Sequence, residues 1–268
     1  TVLDGVLADG SVENVIHMGK GEIHISNAAG HGVSAANDGS NSITTTENGS
    51  VTVNATASSN GVGMKAESSG SNKIETESGN VTVTGTGEGY SYGYGYGMYA
   101  EASGSNKIKI TGDGDVTVTG NGSCSATGRY GYGTGMYAHS SGSNSSSNSI
   151  TTDSGDVTVA GNGSSDGTGM RASGGSNTIT TTTKTGNVTV SGTGTGTGDS
   201  WGYGMDAKDA GSNKIKITGD GDVTVTGNSQ GYGYGLSRGM TARDGSNKIK
   251  ITGDGDVTVT GSGTGTGS

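Results

Sequence analysis

Aspartates in the recurring segment TGDGDVTV are the first candidates for site chemistry, because carboxylates and carbonyl oxygens grouped at a turn suit a hard cation such as Ca²⁺. Their spacing does not fit the nonapeptide G-G-x-G-x-D-x-U-x of calcium-binding β-rolls, since Asp115 directly follows Gly114. We therefore interpret Asp113, Asp220 and Asp254 as turn-forming residues. The sequence predicts a protein without a cofactor, and calcium is the less favoured alternative.

Most aromatic side chains fall in glycine-rich segments that connect one repeated unit to the next. They are Tyr90, Tyr92, Tyr94, Tyr96, Tyr130, Tyr132, Trp201, Tyr203, Tyr232 and Tyr234. Rings beside glycine can present a flat face to a sugar or a protein, and loops on a rigid scaffold often carry binding sites. These segments are therefore candidate binding loops for cell-surface glycans or proteins. A structural interpretation stays open, because alternating Tyr and Gly also has the period of a β-strand, on which the rings would stack from unit to unit.

Catalytic chemistry finds little support in the charged residues. The residues considered are Arg129, Arg171, Arg238, His17, His24, His31 and His139. The arginines fall in loops or at an outward strand position, and the histidines show no pairing with a nucleophile. Near-identical repeats also argue against one special site. The sequence predicts a protein that is not an enzyme.

The positions of these residues depend on a repeat. The segment GSNKIKITGDGDVTVTG occurs at residues 104–120, 211–227 and 245–261, and the chain has 57 glycines, no proline and no phenylalanine. Only 27% of its residues are hydrophobic, which is too few for a thick globular core. In the first copy, Ile108 and Ile110 alternate with lysines, which is the period of a strand with one buried face.

Alignment on this segment divides the chain into one weak unit and seven clear ones of roughly 35 residues, each with three short strands. The approximate units are 1–29, 30–60, 61–96, 97–134, 135–168, 169–203, 204–238 and 239–268. Such a unit cannot bury its own apolar face, so it must stack on its neighbours. The sequence therefore predicts one continuous repeat domain over residues 1–268.

Two stacked architectures fit, namely a single-stranded parallel β-helix and an antiparallel array of hairpins that turn at Asp-Gly. An asparagine that recurs at one position favours the first, because each side-chain amide can donate to the amide of the next coil. The predicted column comprises Asn41, Asn72, Asn106, Asn148, Asn177, Asn213 and Asn247. We therefore predict an all-β solenoid of about eight coils, with Met98, Ala100, Ile108, Ile110, Val116 and Val118 inside one coil.

The tandem G-S-N-x-I and G-D-V-T-V segments resemble the passenger repeats of bacterial autotransporter and filamentous-haemagglutinin-type surface proteins. This resemblance implies a right-handed parallel β-helix, located at the bacterial surface and belonging to a longer or processed chain. The chain has no apolar run long enough to span a membrane, so we expect no membrane span. Its net charge of −9 and its lack of a lysine-rich tract argue against nucleic-acid binding. The single Cys124 suits export in an unfolded state.

We therefore expect an extracellular structural or adhesive protein, acting as a stiff surface rod or a fibre subunit. One alternative is a filament in which copies of the chain stack end to end or associate laterally. A second alternative is ice binding through outward threonine columns. These columns contain Thr82/Thr84, Thr117/Thr119, Thr224/Thr226 and Thr258/Thr260.

Overall fold

The computed structural model describes residues 3–27, 29–126, 130–140, 145–182, 185–196, 198–231 and 234–265. These ranges contain 24 β-strands, β1 to β24, and no helix. The strands form three parallel sheets of eight strands, which we call sheets 1, 2 and 3. Three consecutive strands, one from each sheet, make one coil.

Sheet 1 contains the first strand of every coil: β1 (Leu3–Asp9), β4 (Gly30–Ala36), β7 (Asn60–Ala66), β10 (Tyr92–Glu101), β13 (Tyr130–His139), β16 (Asp166–Ser173), β19 (Ser200–Lys208) and β22 (Gly235–Arg243). Sheet 2 contains β2 (Glu13–Met18), β5 (Ser40–Thr45), β8 (Ser71–Thr76), β11 (Ser105–Ile110), β14 (Ser147–Thr152), β17 (Ser176–Thr181), β20 (Ser212–Ile217) and β23 (Ser246–Ile251). Sheet 3 contains β3 (Glu22–Asn27), β6 (Ser50–Ala57), β9 (Val81–Gly89), β12 (Val116–Cys124), β15 (Val157–Gly163), β18 (Val188–Gly196), β21 (Val223–Gly231) and β24 (Val257–Gly265).

This arrangement confirms the predicted parallel β-solenoid, with about 34 residues per turn. Equivalent residues of successive units pair in register, as Ile108 does with Ile74 and Ile150. The hairpin alternative is wrong, because the isoleucine and valine strands of one unit lie in different sheets. The right-handed sense stays a prediction from the resemblance.

The core is a set of apolar columns with one residue from each coil. Met98, Ala100, Ile108, Ile110, Val116 and Val118 are each at most 1% exposed. Five of them pair in register with the same residue type in both neighbouring coils, whereas Ile110 pairs with Thr76, so hydrophobic burial accumulates with the number of coils.

Buried asparagines form one column beside sheet 2. Each Nδ2 donates to the Oδ1 of the next asparagine, for example Asn72 to Asn106 at 2.9 Å and Asn106 to Asn148 at 3.0 Å. The amide of Asn106 also donates to the Tyr99 carbonyl oxygen at 2.7 Å. The column contains Asn14, Asn41, Asn72, Asn106, Asn148, Asn177, Asn213 and Asn247. Stacking thus satisfies polar groups that would be costly to bury alone.

Beyond the apolar columns, sheets 1 and 3 pack against each other through glycine. A Cβ atom added to Gly95 of β10 would lie closer than 3.0 Å to the backbone oxygen of Asn121 in β12. A Cβ added to Gly85 of β9 would lie equally close to the Tyr96 carbonyl oxygen. The solenoid is therefore thin in this region, because the backbones of the two sheets contact each other directly. The tyrosines that alternate with these glycines in β10 point outward.

Candidate aromatic binding surface

Tyrosines of coils 4 and 5 form a continuous patch on the outward side of sheet 1, which we call the aromatic surface. It contains Tyr92, Tyr94, Tyr96, Tyr99, Tyr130, Tyr132 and Tyr137. Strand alternation explains it, because the intervening glycines face inward into the thin region.

Neighbouring rings stack in both directions of the sheet, except that the Tyr99 ring is tilted by 33° against Tyr96 and by 50° against Tyr137. Between coils, the Tyr94 and Tyr132 centroids are 5.1 Å apart with planes 6° apart, and those of Tyr92 and Tyr130 are 6.2 Å apart. Along β10, the Tyr92 and Tyr94 centroids are 6.3 Å apart. Offset stacking of this kind fixes the rings and leaves an amphipathic surface of ring edges and hydroxyl groups.

Seven of these residues lie in strands, as the structural interpretation of alternating Tyr and Gly predicted, and the loop interpretation is wrong for them. Tyr92, Tyr94, Tyr96, Tyr130, Tyr132, Trp201 and Tyr203 lie in strands β10, β13 and β19. Glycine at alternate positions lets the strands extend, because only glycine fits between the two closely packed sheets. Tyr90 and Tyr234 lie outside the strands and are 79% and 82% exposed, whereas Tyr232 falls outside the described residues.

Sequence reasoning missed Tyr99 and Tyr137, which join the same surface. Both Gly97 and Met98 are buried, so the outward alternation shifts by one residue between Tyr96 and Tyr99. A Cβ on Gly97 would lie too close to Val118 Cγ1, which explains why glycine precedes the methionine. The signal was the motif Gly-Met-Tyr-Ala, in which the residue after the inward methionine must point outward.

Five tyrosines of sheet 1 have raised pKa values. Burial is the main cause of the raised pKa of Tyr96, Tyr99, Tyr132, Tyr137 and Tyr203. Tyr99 also donates a hydrogen bond to Glu101 Oε2 at 2.8 Å, which further favours its protonated form. The phenols therefore remain neutral and keep their hydroxyl protons at neutral pH.

We expect alkali to unfold the protein as these tyrosines ionise. Their pKa in the unfolded chain is about 10, and it is higher in the folded chain, so the stability they contribute is complete below pH ~10 and is lost as the pH rises further. The melting temperature should fall steeply between about pH 10 and pH 12. Phenolate absorbance should rise together with the loss of the β-sheet circular dichroism signal. Ionisation of all eleven tyrosines near pH 10 in a protein that remains folded would contradict this.

Beside the aromatic surface lies an ionic cluster that includes Asp166 and Arg171 of β16 and Asp206 of β19. Arg171 Nη1 lies 3.8 Å from Asp166 Oδ2, and its Nε lies 3.7 Å from Asp206 Oδ2. Its guanidinium carbon lies 5.7 Å from the centre of the Tyr137 ring. Burial raises the pKa of Asp166. Burial would lower the pKa of Arg171, but the Asp166 carboxylate and its neighbours outweigh this and raise it.

Turn aspartates have backbone partners in the next coil. Asp115 Oδ1 accepts the backbone N–H of Asp156 at 2.9 Å, and Asp222 Oδ1 accepts that of Asp256 at 2.8 Å. Asp113 accepts the Ser154 hydroxyl, and Asp220 accepts the Asp254 backbone N–H. These contacts form a second ladder that the sequence did not predict. Within the described ranges, no group of three His, Cys, Asp or Glu residues is placed to hold a metal ion.

The other two faces of the solenoid differ from sheet 1. Outward positions of sheet 2 carry charges such as Lys109, whose Nζ lies 3.0 Å from Glu75 Oε1. On sheet 3, Thr82, Thr117 and Thr158 pair in register. From β6 to β24, the first three outward columns of this face hold only Thr, Ser, Asn and Ala, whereas a fourth includes Glu88 and Gln230. Ice binding at this face stays a prediction.

Among the remaining candidates, His139 and Arg238 lie on strands of sheet 1, and His31 is buried in β4. His24 contacts Glu22 in β3, and His17 lies in β2. Arg129 falls outside the described residues, and the sequence interpretation did not consider Arg243 at the end of β22. No helix in the described ranges is long and apolar enough to cross a membrane.

Comparisons with protein-family models, with curated proteins and with solved structures find no match. The geometry of the three faces therefore carries the functional argument. Among these faces, sheet 1 is the one that combines clustered aromatic rings with a partly buried ion pair.

Proposed function

We propose that this protein is an extracellular, non-catalytic β-solenoid rod that adheres through the aromatic surface of sheet 1 to glycans or proteins of a cell surface. The observation that carries the proposal is the packing of seven tyrosines on two adjacent coils. Tyrosine is enriched at binding interfaces, because it offers a large contact area, a hydroxyl group and few rotatable bonds.

The backbone beneath the rings supports this role. β10 pairs on one side with β7 and on the other with β13, and its inward glycines rest on sheet 3. Neighbouring rings further restrict each tyrosine, as Tyr94 has ring neighbours in Tyr92, Tyr96 and Tyr132. A surface ordered before binding loses little conformational entropy when a partner binds.

Exposure decides which tyrosines meet a partner first. Tyr92 is 43% exposed and Tyr130 is 39% exposed, and these two stack on each other at one edge of the surface. Tyr90, which precedes β10 by two residues, is more exposed than either. A partner would therefore bind first at this edge. The half-buried rings of Tyr96 and Tyr99 lie further along β10 and support the exposed rings.

A fourfold variant with Tyr92, Tyr94, Tyr130 and Tyr132 changed to Thr tests the proposal. Threonine suits outward strand positions, so we expect an unchanged circular dichroism spectrum. Binding to cultured cells and to a glycan array should fall by about tenfold or more, because truncation of central aromatic residues removes most binding energy at such interfaces.

The matched control changes Lys107 and Lys109 to Thr, on sheet 2 of the same coil. This variant should bind as the unmodified protein does, because its aromatic surface is intact. Equal binding by the fourfold tyrosine variant and the unmodified protein would remove the aromatic surface as the adhesive element.

A further inference from the structure

The repeat is interrupted at one column on the outward side of sheet 1. In register, this column reads Lys65, Tyr99, Tyr137, Arg171 and Asp206 along successive coils. The two tyrosines that continue the aromatic surface thus give way to an arginine and then to an acid. A second outward column, separated from the first by the column of Thr168, changes in the same coil, because Asp166 follows Tyr132 and precedes Trp201.

Among the described residues, the Arg171 side chain has ionic and aromatic contacts but no hydrogen bond. Only 26% of its side chain is exposed, and both of its carboxylate contacts are longer than a hydrogen bond. Its Nε is buried without a hydrogen-bond partner in the described structure, and so is Nδ1 of His139 in the preceding coil. Asp166 and Asp206 are 14% and 17% exposed. A guanidinium with unused donors therefore sits between two acceptor carboxylates.

Aromatic side chains flank this cluster. The guanidinium lies over the Tyr137 ring on one side. Trp201 and Tyr203 belong to the next coil, where they pair with Asp166 and Thr168. Carboxylates that accept, a guanidinium that donates and rings that pack against C–H groups together match the hydroxyl groups and apolar face of a sugar ring.

The charge of the cluster selects among sugars. Within 4 Å two carboxylates face one guanidinium, and the cation of Lys208 lies further away, so a carboxylate-bearing sugar would meet repulsion from the two nearer acids. A neutral sugar would instead donate its hydroxyl protons to Asp166 and Asp206 and accept from Arg171.

We infer that Asp166, Arg171 and Asp206, flanked by Tyr137, Trp201 and Tyr203, form a subsite for a neutral hexose unit of a glycan. This inference rests on the proposed adhesive function, because it names the ligand class for the same face of the solenoid.

The test measures binding of neutral six-residue gluco-, manno- and galacto-oligosaccharides by calorimetry, with hexagalacturonate as the acidic comparison. Arg171→Tyr places the tyrosine of the two preceding coils at this position, and its affinity for the bound neutral oligosaccharide should fall about tenfold in protein whose circular dichroism spectrum is unchanged. Asp206→Asn should also weaken binding. Arg243→Thr, an exposed change in coil 8, should leave it unchanged.

Three results would overturn the inference, namely no binding of any neutral oligosaccharide, stronger binding of hexagalacturonate, or unaltered affinity in Arg171→Tyr. The adhesive function has a separate readout in the fourfold tyrosine variant. If that variant loses cell binding while Arg171→Tyr keeps its sugar affinity, the subsite is wrong and the adhesive surface stands. If the tyrosine variant also keeps cell binding, both are wrong.

Discussion

Replacing Gly95 by alanine is expected to destabilise the protein by about 3 kcal/mol, the upper end of the usual overpacking cost. The added Cβ would meet the backbone O, C and N atoms of Asn121, which cannot move aside as a flexible side chain would. The sheets would have to separate in the thin region and lose the support beneath Tyr94 and Tyr96. For a chain of this size, this corresponds to a fall of about 6–12 °C in melting temperature, measured by scanning calorimetry.

Gly198→Ala is the matched control, because a Cβ at Gly198 would have no atom within 4 Å. Its free energy of unfolding should change by less than about 0.5 kcal/mol. A Gly95→Ala protein as stable as this control would show that sheets 1 and 3 do not pack through glycine.

Loss of one buried asparagine should have a similarly large effect. In Asn106→Ala, the Tyr99 carbonyl and Asn148 Oδ1 lose their donor, while the Nδ2 of Asn72 loses one acceptor and keeps the Lys65 carbonyl oxygen. Each buried polar group left without a partner costs about 1–3 kcal/mol. We therefore expect a loss of about 2–6 kcal/mol in the free energy of unfolding, measured by denaturant titration.

The adjacent Lys107→Ala, at an exposed position of the same strand, serves as the comparison and should change stability by less than about 0.5 kcal/mol. A cost for Asn106→Ala below about 1 kcal/mol would mean that the amide column contributes little to the fold.

Local pattern was enough to predict the coil. Ile108 and Ile110 show the period of a strand, and Asn106 recurs at one place in every unit, which fixes both the inward face and the register. The interior residues and the sheet assignment of each segment follow from these two facts, because a shift of one residue would turn every isoleucine outward.

For the aromatic segments, alternating Tyr and Gly left both a loop and a strand with stacked rings open. Whether Tyr94 lies in a loop or a strand depends on whether Gly95 can pack against the backbone of Asn121. Asn121 belongs to β12 of sheet 3, which comes later in the chain. The outward direction of Tyr99 depends on the shift of alternation at Gly97, which is decided by contact with Val118. Both are tertiary contacts, so an alternation of period two alone does not decide between a loop and a strand or predict the outward direction of Tyr99.

The ionic cluster was missed for a related reason. Arg171 was interpreted singly, whereas its partners Asp166 and Asp206 come from two different coils. Once the register is known, the column shows the arginine replacing a tyrosine, and this departure from the repeat is the signal. Residues that differ from their stacked equivalents are therefore the best candidates for function in such a chain.

Distances between spin labels test most directly that each sequence unit is one coil of a single parallel stack. Positions 42, 73, 107 and 248 lie in one outward column of sheet 2. Position 248 is four coils from position 107, five coils from position 73 and six coils from position 42. Cysteines at these positions, in a Cys124→Ser background, would carry the labels.

Pulsed electron paramagnetic resonance should give narrow distributions near ~19, ~24 and ~29 Å, which rise by one coil spacing of about 4.8 Å from pair to pair. Distances that fail to increase by a constant step, or that are broad in all three pairs, would contradict the parallel solenoid and with it the aromatic surface built on it.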